Sequence, residues 1–446
     1  MSELDIAANP DIHQIVIVGG GAGGLVLATK LGRRFKRLKA QAKVTLVDQS
    51  LTHLWKPRLH EVAAGTIDSF EDELNYVGHA AKNNFEFQLG SMHALDTINQ
   101  QVVLSPVMDG SDEIIPERTI AYNQLIIAIG STSNDFATPG AREHCVFLDN
   151  RNQAEVFHKR LLNTYLTAHA DQPIASASAD HEHALNIAIV GAGATGVELA
   201  AELYEAAQKL ARYGLREIRP ENVHITIIEA ADRVLPALAP NVSQAALIKL
   251  EKLGVQVCLN ERVTEVTATH LATASGKLIP ASLKVWSAGI QAPAFLKDLG
   301  LQTNPINQII VNPQLKAKGF DNIYAFGDCA SLEVVAGMRI PPRAQVAYQQ
   351  AKYLAQQMIK IYQGQPTDDF DYKDYGSLVS VSSHSAVGNL MGGLFGSVSV
   401  HGFFAYIMYV SLYRLHQRSL HGTFRMLLMW MQDVLSRSNG PKLKLH

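Results

Sequence analysis

Residues 15–24 read IVIVGGGAGG, and residues 187–196 read IAIVGAGATG. In each, four β-favouring residues run into a G-x-G-x-x-G turn that opens a helix-forming stretch. The glycines are Gly19, Gly21 and Gly24 in the first copy, and Gly191, Gly193 and Gly196 in the second. The first glycine permits a tight turn out of a strand. The second lets the backbone approach a pyrophosphate where a side chain would collide, and the third lets the new helix pack closely on the sheet. The helix N-terminus then offers unpaired N–H groups and partial positive charge to the phosphates. One such motif is weak evidence, because glycine-rich turns are common. Two in the same context predict two dinucleotide sites on one polypeptide. Each unit also ends its second strand on an acid suited to ribose hydroxyls: Asp48 closing KVTLVD, and Glu229 closing HITIIE.

The length of 446 residues suggests two to three domains. A net charge of −2 gives no case for nucleic acid as a partner. Cys145, Cys258 and Cys329 lie far apart, with no disulfide framework and no metal-ligand spacing, which suits a reducing compartment. No metal site is expected. The polar, acidic N-terminus does not read as a secretory signal. No apolar run reaches the ~18–20 residues that cross a bilayer. From His401 onward six basic residues face one acid, Asp433, so a basic tail follows an acidic body.

The pattern along the chain predicts an α/β fold with two Rossmann-like units, the second inserted in the first. The boundaries fall at 1–150 and 301–370 for the two parts of the first unit, 151–300 for the second, and 371–446 for a C-terminal region. Residues 171–183 read as an exposed connector. The basic stretch 33–43, RRFKRLKAQAK, reads as a solvated helix face, with membrane contact left open. A strand ending in NIYAFGDCA places Asp328 after Gly327, where a carboxylate can meet a sugar-alcohol hydroxyl. As a bare motif it could equally be a helix-capping turn. YNQLIIAIGS turns at Ile129-Gly130, and LKVWSAGIQAP turns at Gly289.

Together these residues resemble the two-dinucleotide flavoproteins, and among them the bacterial type II NADH dehydrogenases, single-subunit NADH:quinone oxidoreductases that pump no protons. The resemblance covers essentially the whole chain. It rests on HLWKPRLHEVAAG, IGSTSNDFATPG, GATGVELAAEL, VWSAGI, IYAFGDCAS, PPRAQVAYQQ and YKDYGSLVSVSS. It implies non-covalent FAD in the first unit, with Gly327 and Asp328 on its ribityl chain, and NADH as substrate in the second. Lys56, the Ile129-Gly130 turn and Gly289 become cofactor contacts. Glu198 falls near the nicotinamide–flavin junction, where it relays protons. Gln345 and Gln349, four apart on one helix face, become hydrogen-bond donors to quinone carbonyls. Glu229 would favour NADH over NADPH by repelling a 2′-phosphate, a preference that Arg233 weakens. Relatives often carry a Lys where this chain has Tyr375, with Lys373 two residues earlier, so no lysine role carries over. The region after the first unit lacks the C-x-x-x-x-C pair of disulfide reductases, and Cys329 alone cannot run dithiol chemistry. Two alternatives stay open: an NADH-dependent flavoprotein reductase with another acceptor, and a non-enzymatic redox-sensing scaffold.

From Phe403 to Leu435 the tail is rich in aromatic and aliphatic residues, interrupted at Gly422. Ser411, Arg414, Arg418, His421 and Arg425 recur at helical spacing opposite an apolar face. The pattern predicts two amphipathic helices lying in a membrane interface. Arg414, Arg418 and Arg425 would face anionic lipid, and Tyr406, Tyr409, Tyr413 and Trp430 the headgroup level. An amphipathic helix packed on the protein or on a dimer partner is the competing reading. The expected setting is peripheral, on the cytoplasmic face of the bacterial inner membrane, with a homodimer possible.

Overall fold

The glycine loops each leave a strand with four consecutive buried apolar residues, a pattern for a strand covered on both faces. The computed structural model describes residues 12–67, 73–170, 185–212, 223–335, 338–382, 385–392 and 396–437. The connector at 171–183, the N-terminal segment, Lys442 and Lys444 lie outside the described residues.

In chain order the first elements are β1 (His13–Val18), α1 (Gly24–Leu38), β2 (Ala42–Asp48), α2 (Leu59–Ala64), α3 (Tyr76–Asn83), β3 (Glu86–Leu89) and β4 (Gln124–Ile127). Next come β5 (Val146–Phe147), α4 (Arg151–Ala170), β6 (Leu185–Val190), α5 (Ala194–Arg212), β7 (Val223–Ile228), β8 (Gln256–Cys258) and β9 (Leu283–Trp286). The last are β10 (Ile323–Ala325), α6 (Ala344–Tyr362), β11 (Gly376–Ser382), β12 (Ser385–Gly392), β13 (Gly396–Gly402), α7 (Phe403–His421) and α8 (Thr423–Arg437).

Two compact units result. The first comprises Met1–Trp55, Glu73–Thr132 and Ile290–Lys373. Its five-stranded parallel sheet runs β10-β4-β1-β2-β3. The second comprises Lys56–Asp72, Ser133–Gly289 and Asp374–His446. Its five-stranded parallel sheet runs β5-β9-β6-β7-β8. In both sheets the loop-bearing strand is central, with its second strand on one side. Each glycine turn therefore opens where the strand order reverses, the usual ligand crevice of such sheets. The first sheet takes its edge strand β10 from chain that follows Ser133–Gly289, so the part of the second unit that holds its parallel sheet is inserted in the first.

The breaks differ from boundaries drawn by composition. Lys56–Asp72 belongs with the second unit, because α2 packs against α4 and α5. The tail from Asp374 joins the same unit. Its antiparallel sheet β11-β12-β13 takes α5 on β11 and α7 on β12.

Candidate active site

Within each unit the loop repeats the same hydrogen bonds. Gly19 and Gly191 adopt φ of 105° and 102°. Their N–H groups donate to the end of the second strand, at Val47 O and Ile228 O, both at 2.8 Å. A Cβ on Gly24 would stand 1.8 Å from Gly19 O, and one on Gly196 2.0 Å from Gly191 O. Both glycines are thus dictated by backbone contact. Gly21 and Gly193 differ, since a Cβ there meets nothing within 4 Å. That open cradle fits a pyrophosphate. Gly23, the N-cap of α1, accepts no side-chain cap, and the first turn of α1 holds no acid. The residues present therefore fit a dinucleotide in each unit.

Asp48 and Glu229 occupy matching places and make matching hydrogen bonds. Asp48 Oδ2 accepts from Gly20 N at 2.6 Å, and Glu229 Oε2 accepts from Ala192 N at 2.7 Å. Their other oxygens accept from Ser50 N and Ala231 N, both at 2.9 Å. Each acid thus pins its glycine loop. Burial raises the Asp48 pKa, against the two N–H groups that favour its charge. Arg233 is turned away, bonded to Pro236 O at 3.0 Å and 3.6 Å from Asp232.

In the first unit, Gly327-Asp328 forms a single 3-10 turn after β10. Gly327 adopts φ 73°, as does Gly130 at 75° after β4. Asp328 Oδ2 accepts from Ser131 Oγ at 2.9 Å, and its carbonyl from Gln308 Nε2 at 2.9 Å. Gln350 on α6 accepts the Gly327 N–H at 2.8 Å. Sequence reasoning missed Gln350, although Gln350 interrupts the buried stripe Val346, Leu354 and Met358. Cys329 is fully buried and its thiol donates to Phe326 O; burial pushes its pKa up to about 12. It stays a protonated, inert thiol. Gln345 and Gln349 share the first turns of α6. Gln349 is held at both ends of its amide by Lys373, donating to Lys373 O at 2.8 Å and accepting from Lys373 N at 3.1 Å.

In the second unit, Gly289 adopts φ 64° and sits under the Phe136 ring, which a Cβ would meet at 2.4 Å. Lys56 lies 4.0 Å from Asp149. Glu198, in the second turn of α5, is 7% exposed. Its Oε1 accepts from Ser380 N on β11 at 3.0 Å. Its Oε2 lies 3.5 Å from the His60 ring of α2. Burial drives the Glu198 pKa up to about 8, opposed by the Ser380 N–H and reinforced by Glu61. Burial lowers the His60 pKa to about 4, so the imidazole is neutral. One turn on, Glu202 accepts from Thr66 Oγ1 at 2.9 Å, and burial raises its pKa too. Arg58 neutralises Glu61 through both carboxylate oxygens and lies 4.7 Å from the Tyr413 ring centre.

The tail corrects part of the sequence expectation. Arg414 does not face lipid: it bonds Asp433 on α8 at 2.5 Å and Gln417 at 2.7 Å. Tyr409 lies beside Glu198, and the Tyr413 ring lies beneath Arg58. Ala405, His416, Gln417 and Leu420 bury one face of α7. Arg418 and Arg425 are exposed, as are Ile407, Leu412, Leu415, Phe424, Leu428, Trp430 and Met431. Among the described residues no helix is long and apolar enough to cross a membrane.

The fold and the paired loops define a two-dinucleotide oxidoreductase. Residues 13–351 match the pyridine nucleotide-disulphide oxidoreductase family. A type II NADH:quinone oxidoreductase of Haemophilus influenzae is 44% identical, over 98% of this chain and 100% of its own. The enzyme NdhA of Mycobacterium tuberculosis, of the same description, is 28% identical over 96% of this chain and 88% of its own. The fold also matches NDH2 from Plasmodium falciparum solved with NADH, at TM-score 0.76 and 20% identity, over 93% of this chain and 97% of that one. The chain belongs to the type II NADH:quinone oxidoreductases.

Proposed function

We propose that this protein oxidises NADH with a membrane quinone, through FAD held in the first unit and NADH in the second. The carrying observation is the duplicated loop, with its two open cradles at Gly21 and Gly193. FAD, when bound, accepts hydride from NADH and returns two electrons to the quinone. The chain supplies the rest. Gly21 and the uncapped start of α1 receive the FAD pyrophosphate, and Asp48 and Asp328 receive its hydroxyls. Glu229 receives the NADH ribose and disfavours a 2′-phosphate, and Arg233 is engaged elsewhere.

Hydride brings one proton, so quinol formation takes up a second from solvent. Glu198 holds a proton at neutral pH, because burial penalises its charged form. We assign that proton to it. Gln345 is the quinone contact in this reading. Gln349 gives one N–H and its amide oxygen to the Lys373 backbone, and its second N–H is the one it can offer a quinone. The exposed apolar residues of α7 and α8 enter the bilayer surface, where the quinone resides, with Arg418 and Arg425 toward anionic headgroups. The setting is peripheral, on the cytoplasmic side of the inner membrane, where NADH is made.

Stopped-flow absorbance tests the reading. NADH should bleach the flavin of the purified protein, and a quinone analogue should restore it. Bleaching that only a soluble acceptor reverses would favour a different reductase. No bleaching at all would leave a redox-sensing scaffold.

A further inference from the structure

The Gly20–Gly21 peptide is gripped from a direction that the glycine motif does not specify. Tyr76, the first residue of α3, donates its hydroxyl to Gly20 O at 2.7 Å. Its ring is 2% exposed and stacks on Phe87 at 5.0 Å and 12°. A Cβ on Gly20 would stand 2.4 Å from that hydroxyl, so glycine at 20 is what admits the tyrosine. His53 also bonds the Gly20 backbone, and burial lowers its pKa to about 4, which keeps it neutral. On the other side of the residue, Gly20 N donates to Asp48.

Gly20 C=O and Gly21 N–H belong to one peptide plane. The described chain has no cis peptide, so the two groups point in opposite directions. Holding the carbonyl toward Tyr76 therefore aims the Gly21 N–H away from it. Gly21 is the residue whose side-chain position opens on empty space. The second loop fixes the equivalent peptide by another means. There Ala192 O accepts from the backbone N–H of Leu235 at 2.8 Å, and Ala192 N donates to Glu229. The same peptide is thus locked twice in the protein, once by a side chain and once by backbone.

We propose that Tyr76 is a positioning residue that locks the Gly20–Gly21 peptide, so that Gly21 N–H is aimed at the pyrophosphate of the tightly held dinucleotide. The inference rests on the reading of the first unit as the FAD site. Without the hydroxyl, the His53 bond to the Gly20 backbone remains, but the peptide is freer to rotate and turn a carbonyl oxygen toward the phosphates. Leu235 performs this task in the second unit, so the nicotinamide site is indifferent to Tyr76.

The experiment uses the full-length holoprotein and Tyr76→Phe, which keeps the ring and its stacking on Phe87. FAD release on dilution is followed by recovery of flavin fluorescence. Release should quicken about 3- to 10-fold, the range for one neutral hydrogen bond. KM for NADH, and kcat with FAD in excess, should stay within twofold of the parent. The thermal midpoint in excess FAD should also hold. A variant that purifies partly colourless but refills with added FAD supports the proposal equally. Unchanged release overturns it, and so does a rise in KM for NADH that matches the faster release. If Tyr76→Phe does not fold, Phe87→Leu keeps the hydroxyl but frees the ring, and should quicken release by a smaller factor. An unchanged rate there overturns the proposal. A parent protein that carries no flavin would instead sink the FAD reading itself.

Discussion

At the scale of single residues, Glu198 shows how burial turns an acid into a proton store. Its folded pKa of about 8 lies above the ordinary 4.5, so the folded state binds the proton more tightly than the unfolded chain does. Stability from this group is full below pH 4.5 and is lost as pH rises through about 8. Glu198→Gln should therefore flatten the decline of stability between pH 5 and 9. The difference should reach on the order of 2–4 kcal/mol at the alkaline end. Urea midpoints of both proteins across that range decide it, and parallel curves would mean that Glu198 ionises normally. The glycines separate as cleanly. Gly21→Val places its side chain in open space, so the protein should fold yet purify without flavin. Gly24→Ala drives a methyl onto Gly19 O and should lower the thermal midpoint as well. Circular dichroism together with the 450 nm flavin band distinguishes the two, and a yellow Gly21→Val would remove FAD from the first loop.

At the scale of elements, the two loops and the pair of Rossmann-like units were legible because G-x-G-x-x-G fixes backbone geometry rather than side-chain packing. The return of β10 was legible from Gly327-Asp328 for the same reason. Helix faces were less so, since one residue turns a helix by about 100°. On α6, Gln349 and Gln350 are neighbours in sequence, yet Gln350 clamps Gly327 while Gln349 clamps Lys373. Only the packing of α6 decides which does which. The acid–base cluster was hidden more deeply: Glu198 meets Ser380 and His60 from segments far away in sequence. The helix α6 makes a paired prediction. Gln349→Leu forfeits two hydrogen bonds to the Lys373 backbone and should cost about 1–3 kcal/mol of stability. Gln345→Leu should slow flavin reoxidation by quinone while leaving reduction by NADH near normal. Equal slowing of both half-reactions by Gln345→Leu would relocate the quinone contact.

At the scale of the whole molecule, the proposed membrane attachment of the tail has two possible sources, charge and apolar surface. The sequence offered three arginines to the membrane, but Arg414 is committed to Asp433 across the turn at Gly422. That partner lies on the next helix, and no periodicity within α7 could point to it. The other two of those three, Arg418 and Arg425, are exposed. At about 1 kcal/mol each on an anionic surface, they contribute roughly 2 kcal/mol. Phe424 is 74% exposed and Trp430 47%, and with Leu428 and Met431 they offer more than that on insertion. High salt should therefore weaken binding to anionic vesicles by about tenfold to thirtyfold without abolishing it. Phe424→Ser with Trp430→Ser should cost more than Arg418→Gln with Arg425→Gln. Arg414→Gln should unfasten α7 from α8 and lower the thermal midpoint, while changing the salt dependence little. Vesicle flotation across a salt series, run on these variants, reads each effect separately. If the arginine pair alone released the protein, the attachment would be electrostatic, and the exposed apolar residues would need another partner.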